Sequence, residues 1–399
     1  MLMLVLYSFL VSYAINSISI YLLFVFFLLD YKSAISNKIK IIKSNKLVLI
    51  YVLFFVFQFL GVLYSNNISF GLRRVSVMLP ILIIPAVLFS EKLNYVKFAK
   101  TLSLLKYWIA LVFIYHIIIH IFIDLRPLSN FVLYVLNDKL GISQFYVMFI
   151  LLIPMLNCMS EIQAKNQISL NIVFLFLFLF FIILLANKTS FLALFSVILI
   201  KSIFLFKNKI GEYRILLTGF LFAVIIGLAF IPQIKKRIDV VLRTTDFDIN
   251  TIITKNSVTF TNNTFEHRLL INYLSLDETK KHFPVGVGTG DFQDVLYEKY
   301  KKINFKRAIL GKFNNHNQYL SEFLKTGVFG GVTFLLLIFM LLKSSSIKDH
   351  YHVYIIVCFA FVNLFESYLY RQHGVVIFSF IIPLFLVLDQ CLKLKTETS

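Results

Sequence analysis

The chain is 399 residues long, 59% hydrophobic and 17% aromatic, with a mean hydropathy of +0.83 and a formal charge of +19. A soluble core of this length cannot hide so much apolar surface, and the surplus gathers in runs of about 20 residues, which excludes a soluble globular protein and defines an all-α polytopic membrane protein. The lysines and arginines lie mainly between those runs, and no basic face is interleaved with stacking aromatics, which excludes nucleic acid as the partner.

In chain order, apolar windows able to cross about 30 Å of hydrocarbon predict about eleven transmembrane helices. They lie near residues 4–29, 47–64, 74–90, 104–123, 142–159, 168–186, 190–206, 215–231, 319–342, 352–370 and 373–391. The first is read as a retained helix, because no basic leader and no small-residue cleavage site mark it as a signal. Asn16 and the serines around it are points where it can split. The run from Phe174 to Phe181 is low in complexity and needs no reading beyond a lipid-facing helix. No repeat of fixed period is visible. Cys158, Cys358 and Cys391 fall within or at the ends of apolar runs, match no metal or disulfide spacing, and read as packing residues.

One orientation satisfies every short loop. If Lys32, Lys38, Lys40, Lys43 and Lys46 are cytoplasmic, alternation places Lys92, Lys97, Lys100, Lys106, Lys165, Lys207, Lys209, Arg214, Lys343, Lys348, Lys393 and Lys395 on the same side. The opposite short loops hold only Arg73, Arg74, Arg126, Lys139, Lys188 and Arg371, as the positive-inside bias requires. The segment from Pro232 to about Gln318 then faces outward. The chain therefore divides into N-terminal helices over 1–231, a large outer loop containing short helices over 232–318, and C-terminal helices over 319–399. Within the loop, Gln233 to Leu242 alternates basic and apolar residues as a short amphipathic helix would, and Thr251 to Thr264 reads as extended or irregular. No hydrophobic run in it is large enough for an independent core, so it is expected to rest on the membrane helices and form a cleft with their outer ends.

Three features meet on the outer face. They are Glu266-His267-Arg268, then Pro284-Val285-Gly286-Val287-Gly288-Thr289-Gly290-Asp291-Phe292, then Asn314-Asn315-His316-Asn317-Gln318-Tyr319-Leu320 running into a helix with Gly327, Gly330 and Gly331. An imidazole beside the bilayer can take a proton from a sugar hydroxyl while the other reactant stays in lipid. Asn317 is placed to cap the following helix and Tyr319 to anchor it in the interface. The glycine segment lacks the strand and helix context of a dinucleotide site. Gly286, Gly288 and Gly290 fit either a tight turn at positive φ or a nest of backbone N–H groups facing a phosphate. Glu366, near the outer end of a predicted helix, is costly there unless paired, and a bond to Arg371 or Lys188 would make it a support for the site. His116 and His120 share a helical face, but with no third ligand they assign no metal site. His267 and His282 have no distinguishing context.

The order Arg268, then P-x-G-x-G-x-G-x-F, then H-N-x-Y-L-x-x-L-x-x-G-x-x-G resembles the bacterial O-antigen ligase family, which also includes related polymerases of lipid-linked glycans. Asn363 to Ser367 and Arg371 to Gly374 look like that family's penultimate helix and following turn. The motif-bearing resemblance spans roughly residues 180 to 385; the first 160 residues match only in hydropathy. It implies a multi-pass glycosyltransferase in a bacterial cytoplasmic membrane, with the active site facing the periplasm. The donor would be an undecaprenyl diphosphate-linked glycan, the acceptor the lipid A core for a ligase or another repeat unit for a polymerase. His316 would be the general base, and Arg268 and Lys188 the diphosphate-binding cations. Lys188, in Asn187-Lys188-Thr189-Ser190, stands where the family usually has a Ser-Arg pair, so the charge is kept and the bidentate fork lost. No paired-carboxylate motif calls for a metal-bound diphosphate, and neither metal nor cofactor is expected. A transporter or flippase would instead show inverted repeats and ionisable groups at mid-membrane depth, and an inactive scaffold leaves Arg268 and His316 unexplained.

Overall fold

The computed structural model describes residues 2–29, 35–91, 95–185, 197, 239–344, 351–388 and 390. Among them every regular element is helical. Five helices are long and apolar enough to cross a membrane: Lys46–Leu63, Ile68–Ser90, Val96–Ile123, Gln144–Ile162 and Gln318–Lys343. Ala14–Leu29, Ile168–Leu184, Val353–Val362 and Gln372–Leu388 are shorter apolar helices. The spans expected at 190–206, apart from residue 197, and at 215–231, together with Lys188 and Cys391, lie outside the described residues.

The first expected span is two helices, α1 (Leu2–Ser8) and α2 (Tyr13–Leu29). The break falls before Asn16, whose amide donates back to the Val5 carbonyl at 2.7 Å and to Ser8 Oγ at 3.1 Å, folding α2 onto α1. An unforeseen amphipathic helix, α3 (Ile35–Ser44), follows, and its Lys38 pairs with Glu91 at 2.6 Å. Next come α4 (Lys46–Leu63) and α5 (Ile68–Ser90), which Asn45 and Asn67 cap by accepting from backbone N–H groups. Beyond them stand α6 (Tyr95–Ile118), α7 (Gln144–Gln163) and α8 (Ile168–Leu184).

Two charge assignments change with these boundaries. Arg73 and Arg74 are not loop residues but lie in the first two turns of α5, where Arg74 is buried. Lys106 is likewise not a loop cation; it is buried in α6 and donates to Asn171 Oδ1 at 2.6 Å. Each polar head finds a partner inside the bundle, which is the condition for burying it.

After residue 238 the chain forms α9 (Ile249–Val258), α10 (Thr264–Lys281), α11 (Phe292–Lys302) and α12 (Lys306–Gly311). The described part of the expected amphipathic helix, 239–242, is helical, and the helix runs on to residue 244. The stretch from Thr251, read as irregular, is mostly helix: Asp248 caps α9 by accepting from the Thr251 N–H and hydroxyl. The segment also owns more of a core than its sequence suggested. Ile252, Leu270, Ile271, Leu274, Phe292, Leu296, Tyr300, Phe305 and Ala308 are buried together, joined by Leu324 from α13 (Gln318–Lys343). These side chains are spaced three and four apart on short helices, so no continuous apolar run betrays them.

The final helices are α14 (Tyr351–Val362) and α15 (Gln372–Val376, prolonged through a π-helical turn to Leu388). The expected span over 352–370 therefore stops eight residues early. Asn363 is fully buried, and its carbonyl accepts from the Gln318 N–H at 2.8 Å. Arg74 then donates to the carbonyls of Leu369 and Tyr370. These bonds from α13 and α5 accompany a turn over residues 363–371 in place of a continued helix.

Candidate functional site

The site lies where the C-terminal ends of α4 and α14 meet the N-terminal ends of α5 and α13, under the α9–α12 segment. Its centre is the Glu366 carboxylate. One oxygen, Oε1, accepts from Arg268 Nη2 at 2.5 Å; the other, Oε2, lies 3.1 Å from His316 Nδ1. Of the two partners expected for Glu366, Arg371 makes no ion pair with it and Lys188 lies outside the described residues; the carboxylate bonds Arg268 and His316.

Each member is held by local structure that the sequence dictates. Arg268 sits in the second turn of α10, whose N-terminus Asn263 caps through its Oδ1. Two residues earlier Glu266 is fully buried, and its Oε1 accepts from Lys255 at 2.9 Å and from the Asp246 N–H at 2.8 Å. His316 stands at φ +49, an uncommon conformation for a non-glycine residue, stabilised by its N–H donating to Asn314 Oδ1 at 3.0 Å. Asn315 is fully buried and accepts from Ser275 of α10 at 2.8 Å, which fixes the His316 turn to the helix that carries Arg268. Asn317 caps α13 as expected, accepting from the Leu320 N–H at 3.1 Å. Tyr319 does more than anchor an interface: its hydroxyl donates to the Ala360 carbonyl at 2.8 Å and ties α13 to α14.

Accessibility separates the roles. The side chains of Arg268 and His316 are 29% and 25% exposed, against 13% for Glu366. The carboxylate is covered while the two nitrogen groups reach the surface. With Nδ1–H directed at the carboxylate, the lone pair of His316 Nε2 is left to accept a proton. Arg268 spends one of its five N–H groups on Glu366 and retains donors for a second anion.

The neighbouring His267 is different. It is buried against Phe305 and Phe313, bonded to Thr261 Oγ1 at 2.7 Å, and burial, with the nearby charges of Arg307 and His316, lowers its pKa to about 4. It is a neutral structural residue at neutral pH. Because the unfolded chain takes up this proton near pH 6.5 and the folded chain only near 4, stability is complete above about 6.5 and falls as pH drops towards 4, by up to about 3 kcal/mol. His267→Gln should flatten that part of the pH profile, as read by thermal unfolding between pH 7 and pH 4.5; an unchanged slope would show that other groups set it.

The glycine segment is a clasp and not an anion nest. Helix α13 breaks at Thr326 and Gly327, and the break frees the carbonyls of Leu324 and Lys325. Val287 N–H donates to Leu324 O at 2.9 Å and Gly288 N–H to Lys325 O at 2.8 Å, while Val328 N–H donates to Pro284 O at 2.9 Å. Thr289 N–H bonds the Gly61 carbonyl, Gly290 N–H bonds Ser65 Oγ, and Gly286 N–H bonds His282 O. No amide of Gly286, Gly288 or Gly290 is left for a phosphate. The positive φ of Gly286 (+84°) and Gly288 (+99°) bears out the tight-turn alternative. Gly327 is irreplaceable for contact as well as for φ: a Cβ there would lie 1.8 Å from Pro284 O. The clasp satisfies the backbone groups that a break in a membrane helix would otherwise orphan.

Sequence reasoning missed the polar residues beneath this clasp. Glu322 is fully buried, pairs with Lys325 at 2.8 Å, and accepts from Gln58 Nε2 at 2.7 Å and from Gln318 Nε2. Gln318 Oε1 in turn accepts from the Leu369 N–H at 2.8 Å, so this network also grips the turn that presents Glu366. The available signal was two opposite charges three residues apart inside an apolar run. His120, one half of the suspected pair, lies 3.0 Å from the Pro127 carbonyl. Cys158 and Cys358 are buried free thiols, as their positions in apolar runs implied.

Apolar helices in this number, with a polar site at their ends, define a multi-pass membrane protein. Residues 173–335 match the model of the O-antigen ligase family, which supports membership of that family and an enzyme of the O-antigen ligase or polymerase type, with lipid-linked glycan and bilayer as its partners. The match includes Arg268, the glycine segment and His316; Glu366 lies beyond it. No curated protein matches the chain.

Proposed function

We propose that the chain transfers a glycan from undecaprenyl diphosphate to an acceptor hydroxyl on the periplasmic side of the bacterial inner membrane, with inversion at the anomeric carbon. The observation that carries this reading is the two-sided bond of Glu366 to Arg268 and His316, which sets a proton acceptor and an anion-binding cation about one carboxylate apart.

In this mechanism His316 Nε2 takes the acceptor O–H proton, and the oxygen lone pair attacks the anomeric carbon. The bond from that carbon to the phosphate oxygen breaks, and its electrons leave with the diphosphate. Glu366 keeps the imidazole in the tautomer that presents Nε2 and stabilises the imidazolium once formed. Arg268 grips the departing diphosphate; a cation about 4 Å from a unit anion contributes about 4 kcal/mol at an effective dielectric near 20. Lys188 is a second candidate cation for the same diphosphate. Charge stabilisation is assigned to these side chains and not to a metal.

The acceptor distinguishes two reactions that share this chemistry. We favour a ligase, with the lipid A core as acceptor, because of the fit of the His316 segment; a repeat-unit polymerase is the alternative. Analysis of envelope glycolipids in a deletion strain tests the function and separates the two. Long glycans left on the carrier identify a ligase, a core carrying one repeat unit identifies a polymerase, and an unaltered glycolipid profile overturns the reading.

A further inference from the structure

Arg371, expected from sequence to pair with Glu366, does something else. Its guanidinium makes no hydrogen bond or ion pair with the described residues, and it lines an open cavity of about 320 Å³ with Asn137, Gly141, Ser143 and Gln144. The side chains of Asn137, Ser143 and Gln144 likewise spend none of their polar groups on other described residues. In particular, Ser143 precedes α7 without capping it through its hydroxyl. The wall thus holds one cation, two amides and a hydroxyl, and no carboxylate.

Position gives this cavity its meaning. Tyr146, two residues beyond Gln144, packs its ring on Tyr368 at 4.7 Å and on His373 at 5.7 Å. Those two residues follow Glu366 and Arg371 in the chain by two positions each, so the helix that begins at Gln144 packs through Tyr146 on the turn that carries both Glu366 and Arg371. The volume is at the small end of ligand pockets, which span about 300–1,000 Å³, and suits one sugar residue better than a longer glycan. Amides and a hydroxyl recognise sugar hydroxyls, and a guanidinium recognises a phosphate or carboxylate in a bidentate fork.

We propose that this cavity is the subsite for an anionic sugar residue of the acceptor, a saccharide bearing a phosphate or carboxylate. The proposal rests on the transfer reading for the word acceptor, but the binding itself stands on the cavity. It would hold the acceptor beside the catalytic turn while the lipid-linked donor occupies the Arg268 side.

The test is binding of defined probes to the purified full-length chain in lipid nanodiscs, followed by saturation-transfer NMR. Glucose 6-phosphate and glucuronate should bind more tightly than glucose, and Arg371→Gln should weaken the charged probes by about tenfold or more while leaving glucose unchanged. Arg371→Lys should recover part of the loss, since it restores the charge without the fork. Asn137→Ala supplies an independent check from a second lining residue and should weaken charged and neutral sugars alike. His316→Ala should bind every probe as the unmodified chain does, so a failure of the general-base mechanism is read separately, from transfer activity. Equal binding of glucose 6-phosphate by the Arg371→Gln chain would overturn the proposal, and inorganic phosphate binding as tightly as the sugar phosphate would overturn its saccharide part.

Discussion

Replacing His316 with alanine should lower glycan transfer by about 10² to 10⁴-fold, the usual contribution of a general base, with protein abundance unchanged. The expectation of normal abundance comes from the bonds of the residue. The imidazole is partly exposed, its backbone turn is held by Asn314, and the helix behind it is capped by Asn317, so the side chain itself carries little of the fold. Glu366→Gln should reduce transfer too, because an amide can present N–H to Nδ1 and no longer stabilises an imidazolium. The His316→Ala, Glu366→Gln double variant should be no slower than His316→Ala alone, since the carboxylate acts on the proton through the imidazole. Transfer from a lipid-linked glycan in isolated membranes, normalised to immunoblotted protein, measures all three. Normal transfer by His316→Ala removes this residue as the base, and additive losses in the double variant remove the coupling to Glu366.

The membrane class, and Arg268 and His316 as residues to single out, were legible because each leaves a local mark. Apolar windows placed α13 within a residue at each end, and an Asn beside a His before that helix marked its cap. Residues 352–370 went wrong for the opposite reason. Leu364, Phe365, Tyr368 and Leu369 supply helical hydropathy, but Gln318 and Arg74, some 50 and 295 residues away, seize the backbone there. The identity of the Glu366 partners was illegible on the same grounds, since Arg268 is 98 residues distant in sequence. The glycine segment offered two readings that differ only in where its amides point. The break in α13 decides between them, because orphaned carbonyls inside a membrane demand donors, and the loop amides are the nearest. The short helices of the α9–α12 segment were hidden by their mixed composition, which resembles a loop until the buried stripe of Phe292, Leu296 and Tyr300 is seen at four-residue spacing.

Removing the carboxylate at Glu322 should destabilise the chain by about 3–5 kcal/mol, more than any substitution among the exposed groups of the site. Lys325 is 3% exposed in its side chain, and Glu322 is its ion-pair partner, so Glu322→Ala strands a cation in the bundle, with the Phe292 ring at 5.0 Å and the like charge of Arg74 nearby. Lys325→Met is the milder lesion, because the carboxylate left behind still accepts from Gln58 and Gln318. The double variant Glu322→Gln, Lys325→Met removes both charges and should be more stable than Glu322→Ala, since a neutral amide does not require a buried counter-ion. Thermal unfolding of the detergent-purified chains ranks them. Because Gln318 joins this pair to the Leu369 N–H, Glu322→Ala should also loosen the turn that holds Glu366, and transfer should fall before global unfolding begins. Equal melting of Glu322→Ala and the unmodified chain would mean that water reaches Lys325, and the dry ion pair under the clasp would have to be abandoned.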